Sequence, residues 1–550
     1  MKGLDVTVLK LSAVREENEK LRYDAEFFGK DAHAAYRALR HHRRFGDLVA
    51  EGYRVIYEST EIIPREIGIE EGLPFFLQAA DIETPFVQPE GMGCVSRADW
   101  ERYPKGRIKA GEVLIEVKGL AEKVALVTDD VPRNTLVTGT CYKMRPHDPL
   151  DAPLLLSFLT SRYGQALKNR LKSNLLVAFV SKEDLFGMPV PQFGVALKKA
   201  IARTIEESFA AQKDAREKMT EAEALLTKAL GLSGWQPPEP LTYTRRASEA
   251  FAAGRLDAQY FAPRVRELLT LLGAGGRTVR DAAPPRQEKF DPKAPRPPRA
   301  PTAQPMPAQG NALGSAPTKA SALKGRPNAA MSRPVGADSV SVPDPRALPW
   351  AGMGQAVGLT DAEVAGHGGG DRAAGLAAET FRYIEISDVQ GDGTATDNTI
   401  PLSEAPSRAT WHVQAGDVLT STVRPNRRLS AIATPEQDGC IASSGFAVLQ
   451  PQAVPAEVLL TYLRLPLFCE LMDLHTSASL YPAISERDLL ALPFPEIPAK
   501  ASAAIVAAVR AAHTARARAR TLLAQAQRAV EIAIEQNEAA ALDFLTSGTP

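Results

Sequence analysis

The chain repeats itself once, and this duplication limits its possible folds more than any other feature. Arg22-Tyr23-Asp24-Ala25-Glu26-Phe27-Phe28 returns 233 residues later as Arg255-Leu256-Asp257-Ala258-Gln259-Tyr260-Phe261. Ala110-Gly111-Glu112-Val113-Leu114 returns as Ala415-Gly416-Asp417-Val418-Leu419, now 305 residues later. Leu155-Leu156-Ser157-Phe158-Leu159 matches Leu459-Leu460-Thr461-Tyr462-Leu463, and Ser181-Lys182-Glu183-Asp184-Leu185 matches Ser485-Glu486-Arg487-Asp488-Leu489, both 304 residues apart. The growing offset means that the second copy holds an insertion. Between Asp281 and Trp350, 15 of 70 residues are Pro and 14 are Ala, and Ala351–Gly375 is rich in Gly and Ala. Such composition buries too little apolar surface to offset chain entropy, so a disordered insertion is expected over about 281–376. Its Pro-rich part holds ten Lys/Arg against five Asp/Glu, which suits a solvated linker or a weak electrostatic tether to DNA.

Each copy ends in a long helical stretch. After Pro191 a seam runs through Ile201, Ile205, Ser208, Gln212, Ala215, Met219, Ala222 and Leu226, with steps of four and three alternating. After Pro498 the same spacing runs through Ile505, Val509, Ala512, Arg516, Ala519, Leu523, Ala526 and Val530. Two such helices at equivalent places in two repeats favour pairing with each other. Ile201, Ile205, Met219, Leu226, Val509, Leu523 and Val530 are the apolar residues expected to pair them. The rest reads as mixed strand and helix: strands over 112–117 and 417–423, and helices over 154–170 and 457–474. The expected class is α+β. A mixed unit over 1–192 is followed by a helix over 193–235, a second mixed unit over 236–497 and a second helix over 498–550.

Composition and motifs exclude several kinds of protein. Lys+Arg and Asp+Glu are both 65, so this is no histone-like or polybasic chain, although local charge still permits nucleic-acid binding. The four cysteines lie far apart with no Cys-x-x-Cys spacing, which fits a reducing cytoplasm rather than a disulfide framework or a cysteine zinc site. The N-terminal residues lack the apolar core of a signal peptide, and no apolar run approaches the ~20 residues of a membrane helix. No phosphate loop, His-Glu-x-x-His helix, Gly-x-Ser-x-Gly elbow or Asn-Pro-Pro-aromatic tetrapeptide occurs. Pro343-Asp344 has no acidic-x-Lys partner closely following it, so it does not complete a nuclease motif. No catalysis and no metal site are expected.

What remains is polar and basic clusters in loops. In the first copy these include Arg102, Lys105, Arg107, Lys118, Lys123, Lys168, Arg170, Lys172 and Asn174. In the second they include Arg408, Arg424, Asn426, Arg427, Arg428, Ser477 and Tyr481. Arg and Lys neutralise phosphates, and Arg and Asn read base edges through paired hydrogen bonds. Arg424-Pro425-Asn426-Arg427-Arg428 is the densest run; it follows an expected strand and contains no carboxylate.

The layout resembles the specificity (S) subunits of type I restriction–modification enzymes. The resemblance is carried by the two Arg-x-Asp-Ala-x-aromatic-Phe openings, the two Ala-Gly-acid-Val-Leu strands and the two Ser-x-x-Asp-Leu exits, each followed by a long helix. It implies two target-recognition domains, each reading half of a bipartite asymmetric DNA target, on an antiparallel coiled-coil spacer. It implies double-stranded DNA, two methyltransferase subunits and motor-nuclease subunits as partners. S-adenosylmethionine is then expected on the methyltransferase subunits, and this chain binds no cofactor. The long insertion departs from the usual layout. Two alternatives stay open: the recognition subunit of a methylation-only or other phage-defence complex, and a non-catalytic coiled-coil scaffold with two protein-binding domains and no DNA role.

Overall fold

The structure, a computed structural model, describes residues 8–16, 22, 24, 27–55, 60–173, 177–237, 239–292, 379–477 and 482–547. Most of the expected insertion, from 293 onwards, lies outside the described residues. Glu379, Thr380 and Pro401–Ser403 belong to a unit separate from the rest. Within its described part the Leu402 amide donates to the Glu379 carbonyl at 2.7 Å.

The repeated motifs recur as repeated local structures. Gly111 and Gly416 adopt φ of +82° and +86°, where a side chain would be strained. The acid that follows each glycine holds the turn: Glu112 accepts from the Lys109 amide and Asp417 from the Gln414 amide, both at 2.8 Å. Ser181 and Ser485 cap short helices by accepting from the Asp184 and Asp488 amides, each at 3.1 Å. Asp24 and Asp257 accept from the Phe27 and Tyr260 amides at 2.9 and 3.1 Å, and pair with Arg22 and Arg255.

The two heads share their sheets as well. In the first, Val49–Tyr53, Cys141–Pro146, Val113–Glu116 and Val124–Leu126 form an antiparallel sheet in that order. A second sheet pairs Thr135–Val137 in parallel with Phe75–Leu77. In the second head Ser430–Ile432, Val418–Ser421 and Phe446–Leu449 form the antiparallel sheet. Tyr383 and Ile384 pair in parallel with Ile441 and Ala442. The counterpart of Val49–Tyr53 corrects the expected start of the insertion. Residues 284–290 pack along the sheets: the Arg286 amide donates to Val448 and the Phe290 amide to Thr410, both at 2.7 Å. Arg286 also grips Asp417 with two nitrogens, at 2.6 and 2.9 Å. Pro284 and Pro285 lack the donors of a regular ladder, so this segment joins the sheets through isolated bridges, Pro285 to Leu449 and Lys289 to Trp411.

Two expected helices are each broken in two. Residues 154–170 form Asp151–Thr160 and Arg162–Leu171, because Ser161 caps the second by accepting from the Gly164 amide at 3.3 Å. Residues 457–474 form Ala456–Leu463 and Pro466–Leu474, with Pro466 suited to a first helical turn.

The first spacer helix spans Val195–Ala229. It ends in a Schellman motif: Gly231 at φ +69°, its amide bonded to Lys228 and the Leu232 amide to Thr227. The second spans Ala499–Glu535 and stops short of the expected 550. Asn537 caps a separate helix, Glu538–Ser547, through the Ala540 amide. Glu538 reaches the start of the first spacer helix, accepting from the Gly194 amide at 2.8 Å.

The spacer helices pair antiparallel. Ile201 and Ile205 share a core with Ala526, Ala529 and Val530, whereas Met219, Ala222 and Leu226 share one with Ile505, Val509 and Ala512. Leu523 packs at the edge of the first of these cores. A polar layer lies midway. Ser208 donates to the Ala519 carbonyl at 2.8 Å, Gln212 is buried, and Arg516 meets Asp392 of the second head at 2.8 Å. That contact is a charge pair without the alignment of a hydrogen bond. Both partners are nearly inaccessible to solvent, so removing one strands the other. Arg516→Ala is expected to cost about 3–5 kcal/mol. The double replacement Arg516→Met with Asp392→Leu is expected to recover most of it, as read from urea unfolding of the three proteins.

Candidate nucleic-acid interface

The densest basic run lies at the tip of a hairpin in the second head, between Val418–Ser421 and Ser430–Ile432. Arg424 and Arg428 have φ of +51° and +59°, a left-handed conformation that non-glycine residues seldom adopt. Neighbouring backbone holds the tip in place. The Thr422 amide donates to Gly445 at 2.9 Å, the Arg424 amide to Pro482 at 2.8 Å and the Ile484 amide to Thr422 at 2.9 Å. The Ser444 amide donates to Arg408 at 2.7 Å, so exposed Arg408 stands beside the base of the same hairpin. Pro425 is buried, which leaves Asn426 and Arg427 exposed at the apex.

The first head carries the equivalent hairpin between Val113–Glu116 and Val124–Leu126. The Val117 amide donates to Thr140 at 2.9 Å, matching Thr422 on Gly445. Lys118 and Gly119 pair with Phe179 and Ala178, and Gly119, at φ +115°, stands where Arg424 does. Here a buried carboxylate holds the tip: Glu116 accepts from the Glu122 and Lys123 amides at 2.9 and 3.1 Å. Lys118 is exposed. Arg54 joins this tip through the fold, with Nε donating to Gly139 at 2.7 Å and the guanidinium 5.1 Å from the Phe179 ring. Nothing in the local sequence marks Arg54.

The other expected contacts are scattered. Exposed Arg102 and Lys105 sit in a basic turn beside Arg107, which bridges to Leu136 in the other sheet of the first head. Arg107 is engaged within the protein: it donates to Trp100 at 2.9 Å, pairs with Glu101 at 3.1 Å and stacks 4.3 Å from the Trp100 ring. Lys172 pairs with Glu122 at 3.2 Å. Arg428 donates to the Arg464 carbonyl at 2.7 Å and pairs with Glu223. Asn174 and Tyr481 lie outside the described residues, as does the Ser477 side chain.

Two cations grouped with the basic loops face inward instead. Arg170 is buried 4.1 Å from the Phe27 ring and 4.3 Å from the Tyr36 ring. Lys168 is fully buried and donates to the Glu122 carbonyl beneath the hairpin. Burial pushes its ammonium down to about 7. Among the described residues no cluster of His, Cys, Asp and Glu could hold a metal ion, and no helix is long and apolar enough to cross a membrane.

These features define a class: two homologous heads, each with a basic hairpin tip, on one antiparallel helix pair. No family model matches the chain, and neither does any curated protein. Solved structures do. The HsdS subunit from Thermoanaerobacter tengcongensis is 27% identical over 28% of this chain and 41% of its own, with a TM-score of 0.21. The type I restriction–modification system S subunit from M. genitalium is 12% identical over 92% of this chain and 95% of its own, with a TM-score of 0.29. A chain from a structure of complex assembly and conformational transition in the type I R-M system is 13% identical over 92% and 97%, with a TM-score of 0.22. Superposition is poor in all three.

The buried lysine makes stability depend on pH. Its folded pKa lies below the usual lysine value, so the unfolded chain binds more protons between about 7 and 10.5. Stability therefore rises with pH across that window. Met472 fills the equivalent place in the second head. Lys168→Met is expected to stabilise the protein at pH 7, with the gain shrinking towards pH 10, as checked by urea unfolding at both values.

Proposed function

We propose that this chain is the DNA sequence-recognition subunit of a type I restriction–modification complex. The observation that carries the proposal is the repetition of one basic hairpin tip, in equivalent surroundings, on two heads joined by a stiff helix pair. A helix of 35 residues is about 50 Å long, comparable to one to two turns of duplex DNA. Two tips at such a separation suit a target split into two half-sites.

The tips differ in chemistry, so the half-sites differ. Lys118-Gly119-Leu120-Ala121-Glu122-Lys123 offers fewer donors than Val423-Arg424-Pro425-Asn426-Arg427-Arg428. Asn426 and Arg427, exposed at the apex, are the residues assigned to base edges in a groove, where each paired contact is worth about 1–3 kcal/mol of discrimination. Arg408, Lys118, Arg102 and Lys105 supply phosphate contacts, which position the duplex without reading it. The chain itself catalyses nothing. Two methyltransferase subunits carrying S-adenosylmethionine methylate adenine, and motor-nuclease subunits cut unmodified DNA. The neutral net charge implies weak, salt-sensitive binding by this chain alone, with partners completing the phosphate clamp.

A base-resolution map of N6-methyladenine, made with the gene intact and deleted, tests this. A split, asymmetric motif methylated only with the gene intact is the expected result; identical maps overturn the proposal. In the intact complex Arg427→Ala is expected to lose about 1–3 kcal/mol of binding at one half-site, with subunit assembly unchanged by gel filtration.

A further inference from the structure

Three observations converge on Arg428, at the foot of the second hairpin tip. Its left-handed backbone, at φ +59°, is held against its own preference. Its side chain leaves the tip, donating through Nε to the Arg464 carbonyl at 2.7 Å and pairing with Glu223 on the first spacer helix. Arg464 is buried and returns a bond from Nη1 to the Arg428 carbonyl at 2.8 Å. Arg428 and Arg464 thus clasp each other, and Glu223 ties the clasp to the helix that issues from the first head.

The first head does this differently. Lys123 occupies the place of Arg428 and donates to the Ala79 carbonyl of its own head, at 2.7 Å. Only the second tip, among the described residues, is fastened to a spacer helix in this way. We infer that Glu223 and Arg428 are positioning residues that hold the second tip in register with the spacer, so that they set specificity at one half-site without touching a base. This deepens the recognition proposal and rests on it.

The test is methylation by the full complex on a plasmid library randomised over both half-sites, read by N6-methyladenine mapping. Glu223→Ala is expected to lower discrimination about tenfold at the half-site that Arg427→Ala also affects. The other half-site, the yield of assembled complex and the thermal midpoint should not change. Glu223→Gln, which still accepts a hydrogen bond from Arg428, should restore most of the discrimination. Equal loss at both half-sites, or an alanine variant indistinguishable from the wild type, overturns the inference while leaving the recognition proposal standing. Wild-type complex that methylates no motif overturns both.

Discussion

Close approach of two helices is the constraint on which the rest of the molecule depends. The second spacer helix turns alanine after alanine towards its partner: Ala512, Ala519 and Ala526 are wholly buried at seven-residue intervals. Small side chains bring the backbones near enough for the Ser208 hydroxyl to reach the Ala519 carbonyl. A leucine at 519 would push that carbonyl out of range. The polar layer then does what a buried polar residue does in many coiled coils, favouring one register over its neighbours. A register slip would leave the Arg516 charge buried without Asp392, so the heads keep one spacing.

Much of this was legible because the repeat exposes backbone requirements. The glycine before each strand marks a turn and Ser-x-x-Asp marks a helix cap, both local signatures; that the following acid closes the turn shows only in the structure. The seam residues were legible because helical period and burial coincide. What escaped were features decided at long range. A serine inside an apolar run is not visibly a cap, and only the structure shows that Ser161 is one. The segment at 284–290 shows no strand pattern because of its prolines, and it is fixed by Asp417, more than a hundred residues away. Lys168 and Arg170 look in sequence like any basic helix end; only the packing of Phe27, Tyr36 and the hairpin above them shows that they point inward. Arg428 reads as a surface donor until Glu223 is placed beside it.

The heads have diverged where they support their tips. Glu116 and Lys168 underlie the first, where Ser421 and Met472 stand in the second. Arg464 underlies the second, where Thr160 stands in the first. Each solution places a charged or polar group under an irregular turn whose backbone groups need partners. The sheets and caps remained alike, while the tips and their immediate supports changed together.

Neither head is a contiguous stretch of chain. Ile201 and Ile205 complete the core of the first head together with Ala526–Ile532, and Met219–Leu226 completes that of the second with Ile505–Ala512. The border between the two cores falls at the polar layer, part-way along both helices. Exchange of genetic material between related genes would therefore preserve both cores when its breakpoints fall near Gln212 and Arg516. Breakpoints at the apparent linkers, before Gly194 and after Leu232, would join each head to the wrong half of its own core.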